Sequence, residues 1–354
     1  MATVQQSRSA PATPAYSGPL LDVRDLRTHF FVSRRITVKA VDGVSFTVDR
    51  GEALGIIGES GSGKSVTSRS ILRIVDPPGR NVSGQILFKG RDLLTLSERE
   101  MREIRGSQIG IIFQDPTTSF DPVFTVGQQL TETVLSHKKV SREEARADVL
   151  EGLKLVGVTG GDDVLRKYPV DFSAGFRQRL FIAMAMVLKP DLLIADEPTT
   201  TLGVTVQREI LQNLKEIQKE LGTAIILITH DFGVVSQVCS KIMVMYAGRA
   251  AEYASKREVL TKPHHPYTHG LIRSVPLIEA KRTRRMNLIP GFPPDMTRLP
   301  PGCAFAPRCE KAQPDCLQSV PPLFDMGDKH GASCFHPYDH ADMGSLTTAT
   351  RGVS

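Results

Sequence analysis

Residues 58–65 read GESGSGKS, a set of residue types and spacings suited to holding phosphate. A phosphate group needs several backbone N–H donors aimed into one concavity, and glycine lets the chain turn that tightly and come that close. Gly58, Gly61 and Gly63 supply that freedom, with Glu59, Ser60 and Ser62 completing the loop. Lys64 brings a positive charge to the outer phosphates, and the Ser65 hydroxyl can ligate Mg²⁺. Asp196 and Glu197 are adjacent carboxylates further along the chain. A carboxylate at a strand end near such a loop suits a Mg²⁺ contact, and its neighbour can polarise an attacking water. His230 adds an imidazole able to hydrogen-bond a terminal phosphate.

The second chemical group is made of thiols. Of five cysteines, Cys239 stands alone, while Cys303, Cys309, Cys316 and Cys334 gather near the end. With no signal-like segment and a phosphate-binding core, metal binding suits them better than a disulfide framework. Four thiolates suffice for a tetrahedral Zn²⁺ or for a [4Fe–4S] cluster. The intervals of five, six and seventeen residues contain no Cys-x-x-Cys knuckle, which favours iron–sulfur over zinc; unliganded thiols are the third reading.

Both groups need elements to place them. An apolar run at 53–57 leads into the glycine loop and a helix follows at 66–75, giving strand, loop, helix. Apolar runs at 192–195 and 223–228 read as buried strands ending at Asp196 and at Thr229-His230-Asp231. In a doubly wound sheet all three would open on the ligand-binding edge. The expected fold is α/β, with a mostly parallel sheet, an antiparallel portion that includes the alternating stretch at 37–48, and a helical insert at about 116–189. The expected boundaries are a disordered lead at 1–18, a nucleotide-binding domain at 19–260, a C-terminal domain with the four cysteines at 261–340 and a tail at 341–354.

The chain of 354 residues carries a net charge of +6, and its Lys and Arg are scattered rather than gathered in a stripe, which argues for a solvated basic surface over a nucleic-acid face. No uninterrupted apolar run reaches the roughly 18 residues that cross a bilayer.

Between the loop and the second strand stand Gln114, in IGIIFQDP, and DFSAGFRQR at 171–179, which opens a helical run. The order of phosphate loop, glutamine loop, Ser-x-Gly-x-x-Gln-Arg helix, ADEPTT and histidine, over about residues 20–252, resembles the nucleotide-binding domains of ABC transporters, a branch of the P-loop NTPases. The resemblance implies an ATPase with Glu197 and His230 as catalytic residues. It also implies that Gln114 touches Mg²⁺ and relays nucleotide state to membrane subunits. Ser173, Gly175 and Gln178 would face the ATP held by an opposite ATPase subunit. Two positions depart from the family pattern: Phe172-Ser173-Ala174-Gly175 replaces Leu-Ser-Gly-Gly, and Thr201-Leu202-Gly203 replaces Ala-Leu-Asp. An asymmetric dimer is therefore expected, in which the Lys64 side hydrolyses and the Ser173 face is the weaker. No adenine-stacking residue is assigned, since Arg34 and Arg35 separate Phe30 and Phe31 from the loop.

The tail phrases HPYTHGLIRSVP at 265–276 and LPPGCAFAPRCEKAQPDC, ending at Cys316, are similar to those of the peptide and nickel branch of ABC importers. That likeness implies a peripheral subunit on the cytoplasmic membrane face, two transmembrane permease subunits, an extracytoplasmic substrate-binding protein and a [4Fe–4S] cluster on the four cysteines. Peptide is the expected cargo, with nickel or another small solute as the alternative. A non-transport ABC ATPase acting on nucleic acid fits less well, because only one phosphate loop is present.

Overall fold

The computed structural model describes residues 16–114, 120–200, 202–274 and 289–339. The expectations for most of the N-terminal lead, for Thr201 and for the tail at 341–354 lie outside the described residues.

The alternating N-terminal stretches pair as expected. β1 (Leu21–Phe31) and β2 (Thr37–Val48) run antiparallel, followed by β3 (Ala53–Ile57), α1 (Lys64–Ile71), β4 (Gly79–Phe88), β5 (Arg91–Asp92), α2 (Glu98–Ile104) and β6 (Ile109–Ile112). β2, β1, β4 and β5 form a four-stranded antiparallel sheet. The helical insert comprises α3 (Val126–Leu135), α4 (Arg142–Leu155), α5 (Gly161–Arg166) and α6 (Ala174–Met186). Capping boxes at Thr125/Gln128 and Ser141/Glu144 fix where α3 and α4 begin.

β7 (Leu192–Asp196), α7 (Val204–Leu221), β8 (Ala224–Thr229), α8 (Phe232–Val238), β9 (Lys241–Tyr246) and β10 (Arg249–Ser255) complete the central sheet. β3, β7 and β8 are buried at every residue, the pattern of parallel strands covered on both faces. Their side chains alternate between two cores. Leu54, Ile56, Ile194 and Ile226 pack under the antiparallel sheet, whereas Ala53, Ile57, Leu193 and Ile225 join the core that extends into the helical insert.

The segment beyond residue 255 holds α9 (Lys256–Thr261), α10 (Pro266–Arg273), α11 (Pro314–Gln318), β11 (Phe324–Asp325) and β12 (Gly331–Ala332). It is not set apart by a core of its own. β12 pairs with β10 and extends the main sheet, and Phe305 packs against Tyr246 and Tyr267 in the main core. Proline-rich stretches leave it with few regular elements, so polar pins hold it. The fully buried Glu252 carboxylate accepts from the backbone N–H of His264 at 2.7 Å and of His265 at 3.1 Å, and lies 2.6 Å from His330 Nε2.

His265 caps α10, its Nδ1 accepting from the Tyr267 N–H at 3.0 Å. That contact requires a neutral ring, and burial pushes the imidazole down to about 4. The unfolded chain therefore takes up a proton that the folded chain refuses, and stability falls as pH drops from about 6.5 towards 4. His265→Asn keeps a capping acceptor but cannot titrate. Urea denaturation from pH 7 to pH 4 is expected to show a shallower loss of stability in this variant, by about 3 kcal/mol over that span.

Candidate functional site

Strand register brings the chemistry to one edge. Ile57 of β3 pairs with Thr229 of β8, Ile228 of β8 with Asp196 of β7, and Ala195 with Ile112 of β6. The carboxyl ends therefore align, and the glycine loop, Asp196-Glu197, His230 and Gln114 all leave from that line. The loop is held closely against the sheet. Gly63 sits at φ 103°, where a Cβ would lie 2.2 Å from the Ala40 carbonyl oxygen; on Gly58 it would lie 2.3 Å from that of Met245. No other residue fits either place. The buried Lys64 ammonium donates to the Gly58 carbonyl at 2.8 Å and the Glu59 carbonyl at 3.0 Å, and burial holds its pKa below the ordinary lysine value. The Ser62 hydroxyl is buried without a protein partner, as suits a loop built around an absent polar group.

Ser65 Oγ donates to Asp196 Oδ1 at 3.0 Å, so a hydroxyl and a carboxylate stand side by side as hard oxygen donors for Mg²⁺. Burial raises the Asp196 pKa, with the Glu197 charge adding to the rise. Such a carboxylate gains most from a nearby cation. Glu197 sits in the left-handed region at φ 48°, an uncommon conformation for a non-glycine residue that concentrates at functional sites. Its carboxylate accepts from Gln114 Nε2 at 3.1 Å and Thr200 Oγ1 at 2.8 Å, and lies 3.6 Å from His230 Nδ1. Gln114, 83 positions from Glu197, thus converges with Thr200 and His230 on one carboxylate. Thr200 was not singled out by sequence; its only signal is its place at the end of ADEPTT.

The signature segment divides. Ser173 caps α6, accepting from the Phe176 N–H at 3.3 Å, and is exposed together with Ala174. Gly175 is a packing glycine, where a Cβ would meet Val206 at 2.6 Å. Gln178 departs from expectation: it is 1% exposed, because α6 turns it inward, and so does not share the outward face with Ser173.

Residues 41–200 match the ABC transporter family, and residues 251–316 match the oligopeptide/dipeptide transporter C-terminal region. Over 317 residues the chain is 49% identical to a probable peptide ABC transporter ATP-binding protein of Sinorhizobium fredii, covering 89% of this chain and 94% of the relative. It is 47% identical to the dipeptide transport ATP-binding protein of Bacillus subtilis, covering 93% and 98%. The chain belongs to the peptide ABC transporter ATP-binding proteins. As a member of that family it is an ABC-type ATPase, and ATP with Mg²⁺ is implied. Among solved structures, a dimeric ATP-binding cassette in a post-hydrolysis state with ADP and Pi matches at TM-score 0.60 and 25% identity, covering 67% of this chain and 99% of that one. The ABC component cbiO1 of Clostridium perfringens matches at TM-score 0.59 and 31% identity, covering 69% and 91%. Among the described residues of this ABC ATPase, no helix is long and apolar enough to cross a membrane.

The four C-terminal cysteines all line one small pocket, with Phe305 and His336. Burial pushes the thiols of Cys303 and Cys309 up, and that of Cys334 up to about 12. Without a metal, Cys303, Cys309 and Cys334 are thiols rather than thiolates. Cys239, at the C-terminal cap of α8, is buried and its thiol is also pushed up, so it is an inert core residue.

Because the buried Asp196 charge is costly in the nucleotide-free ATPase, Asp196→Asn is expected to raise the melting temperature of the empty chain, at roughly 2–4 °C per kcal/mol relieved. The same variant is expected to lose the further rise that Mg²⁺-ATP gives the parent. Paired thermal melts with and without Mg²⁺-ATP check both outcomes.

Proposed function

We propose that this chain binds and hydrolyses ATP on the cytoplasmic face of the membrane to drive uptake of dipeptides or oligopeptides. It would pair with a second ATPase subunit on two transmembrane permease subunits, which receive cargo from an extracytoplasmic binding protein. The observation that carries the catalytic part is the convergence of Gln114, Thr200 and His230 on Glu197, beside the Ser65–Asp196 pair. The cargo reading rests on relatives whose names give peptide, dipeptide or oligopeptide transport.

In this reading the amides of residues 58–65 and Lys64 hold the phosphates, while Ser65, Gln114 and Asp196 hold Mg²⁺. When bound, Mg²⁺ neutralises charge on the phosphate oxygens. Glu197 orients water for attack on the γ-phosphorus and accepts its proton; the water oxygen bonds to phosphorus as the bond to ADP breaks, and phosphate and ADP leave. His230 hydrogen-bonds the γ-phosphate, and Thr200 keeps the Glu197 carboxylate aimed. Ser173, exposed at the start of α6, faces the partner's nucleotide. With Ala174 and Gly203 in place of the usual glycine and carboxylate, that second site is the weaker of the two. Glu197→Gln in the assembled transporter is expected to lower ATPase activity by about 10²–10⁴-fold and to stop labelled-dipeptide uptake. Full turnover in this variant, or nickel uptake without peptide uptake, would sink the proposal.

The four cysteines are proposed to hold a [4Fe–4S] cluster in the C-terminal segment that follows residue 260. They face one pocket. Tetrahedral zinc with bonds of about 2.3 Å needs sulfurs about 3.8 Å apart. Among the described residues the metal-ligating atoms gathered within 4.8 Å of one another are those of Asp315, Cys316 and His336, not a set of cysteine sulfurs. What favours iron–sulfur over zinc is the sequence spacing of five, six and seventeen residues, with no Cys-x-x-Cys knuckle. The segment has few regular elements and nothing else about it is redox-active, so the cluster's role would be structural. Anaerobically purified protein is expected to carry about four irons per chain and to absorb near about 400 nm. Stoichiometric zinc without iron would refute the assignment.

A further inference from the structure

Glu59 occupies a variable position of the phosphate loop, yet each of its polar groups is tied down. Its backbone N–H donates to the Tyr267 hydroxyl at 2.9 Å, and its carbonyl accepts from Lys64 Nζ at 3.0 Å and from the Ser62 N–H at 3.2 Å. Its carboxylate receives both terminal nitrogens of Arg308, at 2.6 and 3.0 Å. Two of these anchors lie 208 and 249 residues away, in the C-terminal segment. Arg308 is itself fixed. Its Nε donates to the Pro290 carbonyl at 2.9 Å, Nη1 reaches the Tyr246 hydroxyl at 3.3 Å, and its side chain is 6% exposed. Tyr246, Tyr267 and Phe305 pack beneath it at a tilt or edge to face, with centroids 4.5 to 5.3 Å apart.

We propose that Arg308 and Tyr267 are positioning residues for ATP binding, acting through Glu59 on the backbone of the phosphate loop. A glycine-rich loop left to itself samples many conformations, and binding must then order it; an anchor that orders it beforehand improves affinity without touching the ligand. The bidentate fork fixes the Glu59 side chain, the tyrosine hydroxyl fixes its peptide N–H, and together they set the direction of the carbonyl that Lys64 grips. A bland alternative is that the ion pair only fastens the C-terminal segment to the sheet. The two differ in what they predict: a fastener contributes to stability, whereas a positioning device contributes to nucleotide affinity in a chain that is still folded.

The inference rests on residues 58–65 being the ATP site, so the parent chain is the control. Full-length parent, Glu59→Gln, Arg308→Lys, Tyr267→Phe and the Glu59→Gln/Arg308→Lys double variant are titrated with a fluorescent ATP analogue alongside thermal melts. Lysine keeps the charge of Arg308 but loses its fork, and glutamine keeps the shape of Glu59 but loses its charge. Glu59→Gln and Arg308→Lys are each expected to bind the analogue about 10-fold more weakly, with the double variant no weaker than the worse single one, because both break the same clamp. In the assembled transporter KM for ATP is expected to rise by the same factor while kcat changes less than about threefold. Folded Glu59→Gln and Tyr267→Phe chains that bind within about twofold of the parent would overturn the proposal, even if Arg308→Lys fails to fold. A parent that does not bind the analogue would overturn the nucleotide site itself, a distinct failure.

Discussion

Everything in the ATP site depends on the parallel pairing of β3 with β8 and of β8 with β7. That pairing puts Ile57, Thr229 and Asp196 side by side at the carboxyl edge. The glycine loop, the carboxylates and the histidine are separated by long stretches of chain, and only this register turns them into one site. The register in turn depends on strands buried on both faces, whose alternating side chains lock into two cores at once. A slip of one residue would exchange the two cores and carry every catalytic side chain off the edge.

Electrostatics at that edge are arranged for an incoming ligand. Burial pushes Lys64 below its ordinary value and Asp196 above, so both charged forms are held at a cost in the empty protein. Lys64 leans on two carbonyls and Asp196 on the Ser65 hydroxyl, contacts weaker than phosphate and a divalent cation would provide. Glu197 carries backbone strain as well, at φ 48°. Stability is conceded at these positions, and the two hydrophobic cores on either side of the sheet are what hold the edge in shape.

The C-terminal segment is less separate than its composition suggests. β12 continues the main sheet, Glu252 gathers the backbone of His264 and His265 together with His330, and Phe305 completes an aromatic cluster with Tyr246 and Tyr267. A stretch rich in proline and poor in helices is thus built onto the ATPase by a few buried polar and aromatic contacts rather than by a core of its own. The cysteine pocket and the phosphate-loop anchor Arg308 belong to the same piece of chain.

The strands at 37–48, 53–57, 192–195 and 223–228 and the phosphate loop were legible in the sequence, because alternation, apolar runs and glycine spacing act over a few residues, whereas Gln114 and the helical insert were expected only through the family resemblance. The sequence also determined the family and the presence of four clustered cysteines. What it could not decide were contacts between distant parts. The inward turn of Gln178, the aim that Thr200 gives Glu197, and the grip of Arg308 and Tyr267 on Glu59 depend on which face of an element meets which neighbour. Such facing is set by packing of the whole sheet and its two cores, so no local pattern can announce it, and only the tertiary structure decided it.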